Sequence, residues 1–194
     1  MLLLSGCIGK HPDKLKAGDY IRYVENPRNA LKGTVHSGIW NYDFQYKPSA
    51  YITLRESDPT HSDTVSFRKR TESLDRSVWF NVAISVKGEA ADPLKYNIRD
   101  INEYNARLSY FLSSAAQNFH LYYGNQGEMK QIGYYFENNY SIKPVAVAVI
   151  GFSIPDTVPR EPVTIEYQDR LFNAGILKFN IAPAAFKNIP RLSI

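Results

Sequence analysis

Chemistry in a sequence begins with side chains that hold metals, move protons or attack carbonyls, and this chain arranges few of them in useful patterns. Asp58, His61 and Asp63 lie within the run SDPTHSD, three hard or borderline ligands able to gather on a cation. The same three residues equally furnish a polar surface loop. The four histidines, His11, His36, His61 and His120, show neither HxxxH nor HExxH spacing, which would bring two imidazoles to one helix face. The sequence contains no GxSxG elbow, no Walker loop and no GxGxxG turn. Arg68-Lys69-Arg70 is a brief basic run suited to a solvated face, and the single cysteine, Cys7, has no partner for an internal disulfide. This inventory predicts no catalytic group, no metal site and no cofactor.

The elements that would position a site follow from composition and period. A chain of 194 residues fits one folded domain with a short tail. Its 23 basic and 19 acidic residues are intermixed and leave a net charge of +4, too small a surplus for a nucleic-acid footprint. No run of about 18 apolar residues occurs, so no transmembrane helix is expected. The 14 Tyr, 10 Phe and 2 Trp favour pleated, half-buried surfaces and hence a mainly β fold.

Period-2 alternation supports that expectation. In residues 39–47, IWNYDFQYK, the side chains of Trp40, Tyr42, Phe44 and Tyr46 share one face, and Asn41, Asp43, Gln45 and Lys47 share the other. A slip of one residue would turn four aromatics outward, which fixes the register. Residues 77–87 repeat the theme with Val78, Phe80, Val82, Ile84 and Val86 inward. Further strands are expected at 20–25, 32–36, 49–55, 131–137, 163–168 and 176–181, and 145–152, apolar on both faces, reads as a central strand covered on each side. Residues 55–75 are polar and aperiodic and read as a loop.

One stretch follows a helical period instead. Ile101, Tyr104, Leu108, Phe111, Leu112, Ala115, Phe119 and Tyr122 form a stripe on a long amphipathic helix, with Asp100 and Glu103 as a capping box and Gly124-Asn125 as the stop. The expected fold is therefore α+β and mainly β: an antiparallel, sandwich-like domain of about seven to nine strands with one long helix packed on a sheet.

The N-terminus supplies the most specific motif. Leu4-Ser5-Gly6-Cys7, behind Leu2 and Leu3, resembles the lipobox of bacterial lipoproteins, an apolar residue and two small ones before the cysteine that is acylated. The resemblance implies that residues 1–6 are the remnant of a signal peptide and that Cys7 heads the mature chain. A secretory signal needs an apolar core of about 7–15 residues, so the full signal is expected to begin upstream of Met1. Thioether and amide-linked acyl chains on Cys7 would exceed the two hydrophobic signals that stable anchoring requires. Ile8 stands where an Asp commonly marks inner-membrane retention, so the implied address is the outer membrane, with either face open. Residues 7–18 then form the lipidated N-terminus and tether, and 19–194 the single domain. Within the tether, His11-Pro12-Asp13 matches the tripeptide of J-domain cochaperones but lacks the helical flanks of that motif.

These features imply a lipid-anchored, non-enzymatic accessory subunit of a larger envelope complex for secretion, assembly or transport. The expected architecture is similar to the small β-sandwich lipoproteins of type VI secretion membrane complexes. The alternative is an envelope lipoprotein that binds a sugar or lipid, with Trp40 or Trp79 as the stacking platform. Trp79 would serve if it lies on the solvent side of its strand, opposite Val78 and Phe80.

Overall fold

The alternation at Trp40 to Lys47 becomes a strand with Tyr42, Phe44 and Tyr46 buried on one face, and the rest of the architecture is arranged around it. The computed structural model describes residues 13–56, 63–137 and 142–193. In chain order its strands are β1 (Lys14–Leu15), β2 (Lys32–Ser37), β3 (Trp40–Lys47), β4 (Ser77–Val86), β5 (Phe119–Tyr123), β6 (Gln131–Glu137), β7 (Ala146–Ser153), β8 (Val163–Asp169), β9 (Gly175–Ile181) and β10 (Arg191–Leu192). The helices are α1 (Ala17–Glu25), α2 (Ser49–Glu56), α3 (Thr64–Ser73), α4 (Ile101–Ser109) and α5 (Pro183–Lys187). The chain is thus mostly antiparallel sheet with a few helices, an α+β fold without a closed barrel among the described residues.

Five strands form the larger sheet in the order β2-β3-β4-β7-β6, all antiparallel. The β2–β3 hairpin closes through Gly38 and Ile39, with Gly38 at φ +56°, a turn whose twist matches the strands and which a residue without Cβ adopts freely. β7 lies between β4 and β6, as its two apolar faces predict. A second sheet has the order β5-β8-β9. Inward side chains of both sheets enter one core: Tyr42 approaches Tyr167 at 6.2 Å, Phe44 stacks on Phe179 at 5.9 Å, and Phe119 meets Tyr134 at 6.0 Å. Gly33 of β2 admits the Phe179 ring so closely that a Cβ there would stand 2.6 Å from it.

Two expected strands are helices. Residues 20–25 belong to α1, whose buried Tyr20 and Val24 are four residues apart and share one helix face. Residues 49–55 belong to α2, entered directly from Pro48, where Tyr51 and Arg55 meet one turn apart. Windows of six or seven residues rich in Ile, Thr and Tyr satisfy both periods, and tertiary packing decides between them. The aperiodic stretch 55–75 carries α3, started by Asp63, whose carboxylate accepts from the Ser66 amide at 2.8 Å.

The single long helix is also shorter and less regular than expected. Asp100 caps α4 by accepting from the amides of Asn102 and Glu103, while Glu103 reaches back to the Arg99 amide. After Ser109 the helix widens into a π turn over Tyr110–Ser114, tightens to a 3-10 turn over Ala115–Asn118, and ends. Phe119 to Tyr123 form β5 instead. The stripe therefore splits: Phe111 and Ala115 are buried, whereas Ile101 and Leu112 are exposed. This stretch sits beside β6, where Phe111 stacks on Phe136 at 4.9 Å and its carbonyl accepts from Tyr134 Oη at 2.6 Å.

At the chain ends, β1 pairs in parallel with β10, Lys14 against Arg191 and Leu15 against Leu192. Part of the stretch assigned to the tether is thus held against the C-terminus.

Candidate functional site

Of the residues singled out above, Leu4, Ser5, Gly6, Cys7, His11, Asp58 and His61 lie outside the described residues. Asp63 serves as the cap of α3, and the Ser66 amide and hydroxyl hold its carboxyl below the ordinary range. Among the described residues no three His, Cys, Asp or Glu side chains gather as a metal site. His36 bonds its cross-strand neighbour Asn41 at 2.7 Å, and His120 bonds Glu128 at 2.6 Å. Arg70 of the basic run grips both Glu56 carboxylate oxygens, at 2.8 and 2.9 Å.

The two tryptophans have different fates. Trp40 is at the end of the inward face of β3, stacked on Phe172 at 4.0 Å and edge-on to Tyr96 at 5.8 Å. It closes one end of the core and stays partly exposed there. Trp79 points to the opposite side of β4 from Val78 and Phe80 and is half-buried. In register, Lys47, Trp79, Gly151 and Gly133 form one row across four strands. The indole lies against both glycines: a Cβ at either one would stand 2.7 Å from ring atoms. Its Nε1 donates to Ser77 Oγ at 3.0 Å, which pins the ring.

The helices α2 and α3 pack on each other and cover this end of the outer face, joined by Thr71 and Thr53 hydroxyls at 3.2 Å and by the Glu56–Arg70 pair. Between them and the sheet is a cleft of about 160 Å³. Ile52, Leu74, Trp79 and Val149 supply its apolar lining, Lys47 a cation, and the Glu56–Arg70 pair its rim. Burial pulls the Lys47 ammonium below the ordinary lysine range, against the weaker upward pull of Glu137. The Lys47 ammonium makes no hydrogen bond or ion pair with any described residue. One row along the same face, Asn81 Oδ1 is buried without a partner among the described residues.

Sequence patterning left the side of Trp79 open and missed its surroundings. The signal was present in Gly133 and Gly151, since glycine inside a strand marks a close approach by something large. Lys47 was visible only as one polar residue of an alternating face.

No protein-family model matches the chain, and no curated protein matches it. A solved structure similar to it is that of a DUF4426 family protein from Pseudomonas aeruginosa PAO1, at 12% identity and a TM-score of 0.40, covering 78% of this chain and 94% of that one. So distant a likeness assigns neither activity nor partner.

Proposed function

We propose that the protein is a lipid-anchored, non-enzymatic accessory subunit of a cell-envelope complex, attached to the outer membrane through Cys7. The supporting observation is how near to Cys7 in sequence a residue of the folded domain lies. The Asp13 carbonyl already accepts from the Arg191 amide at 3.0 Å, and Asp13 follows Cys7 by six residues. Six extended residues reach at most about 20 Å. Acyl chains on Cys7 would hold the whole domain beside the bilayer, and the partner is then a protein embedded in or apposed to that membrane. We read the two facing sheets as the sandwich-like body of such a subunit. β6 is an edge of the larger sheet and exposes Ile132 and Tyr135, a surface suited to a partner strand.

The test is extraction of the native protein in mild detergent followed by native mass measurement. The chain should elute with a stoichiometric envelope partner, and Tyr135→Glu should release it. Elution of the wild type as a lone chain contradicts the accessory role.

The cleft beside Trp79 favours a second reading, a ligand-binding envelope lipoprotein. There the indole is one wall of a cleft rather than a free-standing stacking platform.

A further inference from the structure

We propose that the cleft between α2–α3 and the outer face of the larger sheet binds a small organic carboxylate whose body is one ring or a short branched chain, with Lys47 as its counter-ion and Trp79 as its rigid wall. This rests on the ligand-binding reading and adds the chemistry of the ligand. Size is the first constraint. The cleft holds about 160 Å³, and an apolar cavity of about 150 Å³ accommodates benzene. An acyl chain of membrane length is too long for it. A sugar ring would bring hydroxyls against the aliphatic side chains of Ile52, Leu74 and Val149, which offer no hydrogen-bond partners.

Charge is the second constraint. A half-buried ammonium without a bonded partner is costly, and an incoming anion relieves that cost. Glu56 is paired bidentately with Arg70, and Glu137 and Glu56 act on Lys47 only through space, which leaves the place of a bonded counter-ion to a ligand. Arg70 is committed to Glu56, so Lys47 is the cation in the lining without an ion-pair partner among the described residues. Rigidity is the third. The indole is fixed by Ser77 and by the two glycines beneath it, so binding needs no rearrangement of that wall.

Benzoate and its neutral analogue benzamide test the proposal on the full chain, read through the amide resonances of Gly133 and Gly151. Benzoate should bind with a Kd on the order of 1 mM or tighter. Lys47→Met should weaken benzoate by about tenfold or more and leave benzamide unchanged, and Lys47→Arg should restore most of the affinity. Equal benzoate affinity in wild type and Lys47→Met overturns the proposal, and the retained spectrum of each variant certifies its fold. If benzamide shifts these resonances and benzoate does not, the carboxylate assignment fails while the cleft remains a ligand site. If neither compound shifts them at tens of millimolar, the ligand-binding reading fails as well.

Discussion

Tyr42 donates its phenol hydrogen to Asp169 Oδ2 at 2.7 Å, bridging 127 residues of sequence and tying β3 of the larger sheet to the last residue of β8 in the smaller one. Asp169 is 4% exposed, and its carboxylate also accepts from the amides of Leu171, Phe172 and Ala174 at 2.9 to 3.2 Å. A buried charge is thereby met by four donors. The same bonds shape the turn that presents Phe172 to Trp40. Burial first, and the Asp169 carboxylate next, push the Tyr42 phenol far above its ordinary range, so it remains a donor at any physiological pH.

Removing that donor leaves the carboxylate under-satisfied without altering packing volume much. Tyr42→Phe should lower unfolding stability by about 1–3 kcal/mol, measured by urea denaturation with an unchanged m-value. A loss within a few tenths of a kcal/mol would mean that the backbone amides suffice alone.

The indole on Gly151 gives a second expectation. Gly151→Ala places a methyl 2.7 Å from three ring atoms, so either the indole or a central strand must move. The expected cost is about 1–3 kcal/mol, with tryptophan emission shifted toward that of an exposed indole. Because the clash is specific, Trp79→Phe in the Gly151→Ala background should recover part of the loss, a coupling that a double-mutant cycle measures. Strict additivity would contradict the contact.

Glu103 sets a pH dependence. The Arg99 amide, then the guanidinium groups of Arg107 and Arg99, lower its carboxyl from 4.5 to about 2. A carboxyl depressed in the fold stabilises it fully above the unfolded value near 4.5, and that contribution disappears as pH falls toward 2. Glu103→Gln should therefore lower the Tm at pH 7, with the difference from wild type shrinking between pH 4.5 and 2. A difference constant over that window would contradict the assignment.

Much of this fold was legible where one face is buried over many residues. The alternation of β3 and β4 is long enough that a single period satisfies it, and the two-sided apolarity of β7 marked it as central. Legibility failed where windows were short. In α1 and α2 the burial of Tyr20, Val24 and Tyr51 is set by packing partners far away in sequence, and local alternation was coincidental. It failed again at Phe119, where the helical stripe continued on paper but the backbone pairs with Tyr167 in a sheet. The cleft was beyond sequence altogether: α2, α3 and three strands meet there, and only the two strand glycines hinted at it.

Lipid attachment at Cys7 is the claim on which the membrane-proximal role depends, and intact-mass analysis of the native protein from its membrane fraction tests it most directly. The mature chain should start at Cys7 and be heavier than its amino-acid mass by a diacylglyceryl group and an amide-linked acyl chain. A species that keeps Leu4-Ser5-Gly6 and carries a free thiol at Cys7 would contradict it.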